Sequence, residues 1–239
     1  MIKYEHKLIP RFLQKIPGIN INQFLAINKI LFIVNPKVGS SSVIFSMLKS
    51  YLAKENVSRS DFYKHVSFSG SKKLQRKSLE SNFNFAITRD PFSRLYSCYK
   101  QKILLDDAPR HTKNYFFQYY PLIKREQNFG DFVKAVYTIP DYLSEKHFMS
   151  QSRILNYYKN TFNINKLYKI SNLSFLEEDL KHEFSANFQL EKRNLSSKKN
   201  IDLSEVYDEE LISLVYKRYQ DDINNFNYKE IYDQLMDTK

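Results

Sequence analysis

Leu31-Phe32-Ile33-Val34-Asn35-Pro36-Lys37-Val38-Gly39-Ser40-Ser41-Ser42 begins with four apolar residues, a proline stop just beyond them, and a short loop carrying one Lys, one Gly and three Ser. The apolar run reads as a short buried strand. Val43, Ile44, Met47, Leu48, Tyr51 and Leu52 then recur at helical spacing, which predicts a helix over about 41–54 with one buried face. A strand, a loop of small residues and a helix start together present backbone N–H groups and a positive dipole end to an anion. Gly39 permits close backbone approach. Lys37 adds a compact cation with three donors, and the serines add hydroxyl donors. The chemistry called for is a phosphate or a sulfate group.

The order of residues narrows this. In a Walker loop the Lys follows the last Gly of GxxxxGK[ST]. Here Lys37 precedes Gly39 and no second Gly is present, which argues against an ordinary nucleoside triphosphatase. A second unit of the same kind follows. Phe83-Asn84-Phe85-Ala86-Ile87-Thr88 reads as a buried strand, and Arg89-Asp90-Pro91 ends it. Asp90 suits an N-cap and Pro91 a first helical position. Phe92, Leu95, Tyr96, Tyr99 and Ile103 predict a helix over about 91–104. Arg89 at the strand end and Ser97 in the second helical turn can address one anion.

The 239 residues suit a single domain, read as an extension over 1–29, a nucleotide-binding core over 30–200 and helices over 201–239. The fold class expected is α/β, a P-loop-like parallel sheet flanked by helices with a helical C-terminal part. Net charge is +11 and uneven: residues 201–239 hold 4 Lys/Arg against 10 Asp/Glu, so the preceding part carries +17. A basic body implies an anionic partner, although a solvated Lys-rich surface accounts for the composition equally well. Cys98 is the only cysteine, no apolar leader opens the chain, and no apolar run is long enough to span a membrane. A cytoplasmic location is the simplest expectation, with no transmembrane segment and with peripheral membrane contact left open.

Elsewhere the reading is coarser. Residues 62–68 suit a short strand or extended edge, 72–80 a surface helix or loop, 106–125 an aromatic and basic loop, and 129–137 a helix. A helix is expected over 151–158, a third strand over 164–170 and a helix over 173–184, before the helices of 203–236.

The separated motifs agree with one another. The chain resembles the Golgi-type carbohydrate sulfotransferases, which include the heparan 2-O- and the chondroitin/dermatan sulfotransferases, from about residue 30 to residue 229. Pro36 to Ser42 is similar to their 5′-phosphosulfate loop, and Arg89-Asp90-Pro91-Phe92-Ser93-Arg94-Leu95-Tyr96-Ser97-Cys98-Tyr99 to their 3′-phosphate motif, RDPxxRxxSxY. The resemblance implies 3′-phosphoadenosine 5′-phosphosulfate (PAPS) as donor and 3′-phosphoadenosine 5′-phosphate (PAP) as product, with no metal. It assigns Lys37 and the backbone of Val38, Gly39, Ser40, Ser41 and Ser42 to the phosphosulfate, and Arg89 and Ser97 to the 3′-phosphate. Arg193, in Arg193-Asn194-Leu195-Ser196, falls where the family has a basic loop over the nucleotide.

For the general base the resemblance offers candidates. His65-Val66-Ser67-Phe68 is similar to a His-Val-Ser-Tyr segment whose His is the base in heparan 2-O-sulfotransferases. His147, in Glu145-x-His147-Phe148-x-x-Gln151, lies in a segment near the family's acceptor site, where Glu145, Phe148 and Ser150 depart from the usual residues. Glu145 is a third candidate. The implied reaction is O-sulfation of a carbohydrate acceptor, acidic or neutral, without nucleic acid as a partner. The lack of an anchor and of disulfides suggests a bacterial cytoplasmic enzyme or a piece of a longer chain. A kinase-like nucleotide enzyme and a non-enzymatic polyanion binder stay open as alternatives.

Overall fold

The computed structural model describes residues 21–104, 116, 119–155, 162–191 and 202–239. Its centre is a five-stranded sheet of order β3-β1-β2-β4-β5. The strands are β1 (Ile21–Ile27), β2 (Ile30–Val34), β3 (Val66–Gly70), β4 (Phe83–Thr88) and β5 (Lys166–Lys169). β2, β4 and β5 run parallel, as the repeated strand–turn–helix pattern predicts. The sheet as a whole is mixed, because β1 pairs antiparallel with both β2 and β3.

β1 lies inside the segment read above as an extension. A two-residue turn at Asn28 and Lys29, both at positive φ (47° and 59°), folds it onto β2 with Ile27 opposite Ile30. Two left-handed residues match the twist of a tight hairpin. The core therefore begins at least nine residues before the expected boundary at residue 30.

Alternation along the strands divides two apolar layers. Ile30, Phe32, Val34, Phe85 and Ile87 face one side, where they meet Val43, Ile44, Met47 and Leu48 of helix α1 (Ser40–Leu52) and Leu176 and Leu180 of α7 (Leu173–Glu183). Phe32 and Phe85 stack with ring centroids 4.7 Å apart. Leu31, Ile33 and Ala86 face the other side, toward Phe92, Leu95 and Cys98 of α4 (Pro91–Lys102). Behind α4 pack α5 (Phe129–Thr138) and the C-terminal helices α8 (Glu209–Arg218), α9 (Gln220–Asn225) and α10 (Lys229–Asp237). Two further helices, α2 (Arg59–His65) and α3 (Ser71–Glu80), flank β3, and α6 (Gln151–Ile154) precedes β5.

β2 and β4 are neighbours, yet the helices that follow them lie on opposite faces of the sheet. The chains diverge at the C-terminal ends of these strands and leave a crevice. Open parallel sheets bind ligands at this kind of switch point.

Candidate active site

The loop after β2 enters the crevice with Lys37 in the left-handed region (φ 71°), and Gly39 caps α1 in the same region (φ 74°). The Ser42 N–H bonds the Gly39 carbonyl at 3.0 Å. The N-cap residue Gly39 offers no side-chain acceptor, and the start of α1 faces the crevice with the geometry of an anion site. A side chain at residue 39 would meet the positive-φ penalty there, which explains the glycine.

α4 collects the other parts. Asp90 caps it, accepting from the Ser93 N–H at 2.7 Å and bonding the Ser93 hydroxyl as well. The Arg89 Nε donates to Ser93 Oγ at 2.7 Å, and its Nη1 reaches across to the Lys37 carbonyl at 3.2 Å. The Lys37 ammonium donates to Gln101 Oε1 at 2.8 Å. Ser93, Ser97 and Gln101 recur every fourth residue and so share one stripe of the helix. Arg89 grips one end of that stripe and Lys37 the other, with Ser97 between them. Burial lowers the Lys37 pKa to about 8. It also lowers that of Arg89, against the pull of Asp90.

Arg94, on the buried side of α4 and only 2% exposed, ties this assembly to a third segment. Its Nε donates to the Pro36 carbonyl (3.1 Å), Nη1 to the Met149 carbonyl (2.8 Å) and Nη2 to the Lys146 carbonyl (3.0 Å). The segment Glu145–Met149 is thereby fixed against the base of the Lys37 loop. Cys98, one turn further along, is fully buried, and burial pushes its thiol up to about 12.

On this segment the buried Glu145 pairs with the part-buried His147. The Glu145 carboxylate receives the His147 backbone N–H at 2.8 Å and meets ring Nδ1 at 2.7 Å. Burial drives the His147 pKa down to about 4, against the attraction of Glu145, so the ring is neutral near pH 7. Burial pushes the Glu145 carboxyl up, but the contacts from His147 outweigh this and hold it below the usual glutamate value. Nδ1 then carries the proton donated to Glu145, and Nε2 carries the lone pair. Beside the pair, the buried Lys146 ammonium has no hydrogen-bond partner among the described residues and lies 5.2 Å from the centre of the Phe68 ring.

His65 is not brought to this cluster. A capping box between Ser58 and Asp61 starts α2, and His65 closes that helix instead of lying on a strand. Its Nδ1 stands 2.9 Å from the Asp61 carbonyl oxygen, and its ring meets the edge of Tyr51 at 5.8 Å. Tyr51 is eleven residues along α1 from Ser40, about 16 Å at the helical rise. His65 thus stands at the end of α1 remote from the Lys37 loop. Arg193, and the basic residues Arg110, His111 and Lys113 of the aromatic loop, lie outside the described residues. Gln101 was not singled out in the sequence, and Arg94 and Gln151 appeared there only as positions of quoted segments; the anchoring contacts of all three are with distant parts of the chain.

No helix of the described residues is long and apolar enough to cross a membrane. Comparison with curated proteins and with solved structures gives no match. A family model described as "Sulfotransferase family" matches residues 26–229, which span both strand–turn–helix units, the Glu145–Gln151 segment and α9. The chain therefore belongs to the sulfotransferase family, whose members transfer a sulfuryl group to an acceptor.

Proposed function

We propose that the protein transfers the sulfuryl group of PAPS to a hydroxyl of a carbohydrate acceptor. The observation that carries this reading is α4, whose single stripe meets Arg89 at Ser93 and Lys37 at Gln101, with Ser97 one turn from each, while Arg94 fastens the Glu145–His147 pair alongside. Two separated cations with a hydroxyl between them suit a donor that bears anionic groups at two positions.

PAPS, when bound, supplies the sulfuryl group and a phosphate leaving group. The N–H groups of Val38 to Ser42 would hold its 5′ end, and Arg89 with Ser97 its 3′-phosphate. Lys37 would leave Gln101 and set its ammonium against the charge that grows on the departing phosphate, the point where a preorganised cation lowers a barrier most. The neutral His147 would take the acceptor hydroxyl proton at Nε2, and Glu145 would hold the ring in the tautomer that allows it. Lys146, whose ammonium has no hydrogen-bond partner among the described residues and lies near the Glu145 carboxylate and the Phe68 ring, favours an acceptor that carries an acidic group. No observation favours the kinase-like or the polyanion-binding alternative over this one.

The test is PAP release from PAPS in the presence of a panel of neutral and acidic oligosaccharides, with products weighed by mass spectrometry. The reading expects acceptor-dependent PAP release matched by the mass gain of one SO3 group, and loss of both in His147→Ala. Sulfation that persists undiminished in that variant would remove His147 from the mechanism, and PAP release without any sulfated product would overturn the transfer itself.

A further inference from the structure

Gln151 opens the four-residue helix α6, is fully buried, and has both polar atoms of its side chain engaged. Its Oε1 accepts from the Arg89 backbone N–H at 2.9 Å and from Asn35 Nδ2 at 2.8 Å. Its Nε2 donates to the Arg89 carbonyl at 2.7 Å. Asn35 in turn donates to the Ile87 carbonyl at 3.2 Å. The ladder between β2 and β4 ends at Ile33 opposite Ala86, and from there the two chains part. The Gln151 amide stands in the gap. It takes both polar groups of the Arg89 residue, as a neighbouring strand would, and joins them to Asn35, two residues before Lys37.

Gln151 is itself held from behind. Asp222 of α9 receives the Gln151 backbone N–H and the Ser152 backbone N–H, each at 2.7 Å. The Gln151 side-chain amide cannot turn over without setting its N–H against the Arg89 N–H and its oxygen against the Arg89 carbonyl, so its orientation is fixed.

We propose that Gln151 is the positioning residue of the nucleotide site: it sets the Arg89 main chain relative to the Lys37 loop, and through its place on α6 locks both to the segment bearing Glu145 and His147. It touches no reacting atom. Its effect is transmitted through Arg89, and the proposal rests on the reading of Arg89 as the 3′-phosphate ligand. Removing the amide would free the Arg89 peptide, and the guanidinium would lose its fixed approach while remaining present.

The experiment is a double-mutant cycle read by calorimetry as the ratio of PAP affinity to 5′-AMP affinity, which isolates the 3′-phosphate. The wild type should prefer PAP by at least about tenfold, the return expected of one charge-assisted contact. Gln151→Met should lose at least about half of that preference in logarithmic terms while leaving 5′-AMP binding near wild type, and should have no further effect on the ratio in the Arg89→Ala background, since coupled residues fail to add. A merely structural Gln151 would weaken both nucleotides alike and act the same in either background, which would overturn the proposal. A wild type with no preference for PAP would overturn the Arg89 reading together with it. Should Gln151→Met be too unstable to assay, Gln151→Asn serves the same cycle: it keeps a polar side chain but is one methylene too short for its amide to hold both main-chain groups of Arg89, and the same outcomes apply.

Discussion

Arg94→Met removes a buried cation and keeps a side chain of similar length. In the native protein the guanidinium spans three backbone carbonyls, of Pro36, Lys146 and Met149, at 2.8–3.1 Å. Hydrogen bonds to a charged group contribute about 1.5–3 kcal/mol each, and a carbonyl left buried without a partner costs about 1–3 kcal/mol. Part of this is offset because the mutant no longer buries a charge. Cases in which one partner of a buried charged network is deleted settle at about 3–5 kcal/mol of destabilisation. For a chain of this size 1 kcal/mol moves the melting temperature by about 2–4 °C, so Arg94→Met should melt lower by about 6–20 °C. Thermal unfolding followed by circular dichroism reads this directly. Arg94→Lys should recover only a small part of the loss, because one ammonium cannot reach three separated carbonyls. A Met variant melting within about 2 °C of wild type would refute the argument that Arg94 fastens the Glu145–Met149 segment to the Lys37 loop.

Other outcomes follow from the same geometry. Lys37→Ala should lower turnover by at least about a hundredfold while PAP affinity changes little, because the Arg89 end of the site is untouched; equal losses in both would assign Lys37 to binding alone. Glu145→Gln should lower kcat by about 10²–10⁴ with PAP binding intact, since the amide can favour the wrong His147 tautomer; a fully active variant would break the pair as an acid–base unit. The pH profile of kcat/KM should lack an acid limb near pH 6.5. His147 accepts its proton only near its depressed value of about 4, so the neutral ring persists above that, and activity should fall instead on the alkaline side as Lys37 loses its proton near about 8. An acid limb at the ordinary histidine value would place the base elsewhere.

Both strand–turn–helix units were legible because their information is local. A strand, a cap and a helix start lie within a dozen residues, and the Asp90–Pro91 cap forms as the sequence predicts. β1 was missed because its hairpin turn is Asn28-Lys29 and lacks the glycine that usually marks two left-handed residues. α2 was read as extended because its capping signal, Ser58 with Asp61, precedes the aromatic run that suggested a strand. The placing of His65 followed from that helix and was invisible to a short motif match. His147 gained its chemistry only from Glu145 folded back on it and from burial, and Gln101, Arg94 and Gln151 act across fifty residues or more. A side chain's reach in sequence is unreadable from its neighbours when its partners are backbone carbonyls, which every residue carries.

The central claim, that the crevice between β2 and β4 is built for a nucleotide with phosphate at both 5′ and 3′ positions, is tested most directly by calorimetric titration of the wild-type protein with PAP beside 5′-AMP and Mg·ATP. The account predicts that PAP binds at least about tenfold tighter than 5′-AMP and tighter than Mg·ATP. Equal binding of PAP and 5′-AMP would contradict the role given to Arg89 and Ser97, and preference for Mg·ATP would contradict the assignment of the site to sulfuryl transfer from PAPS.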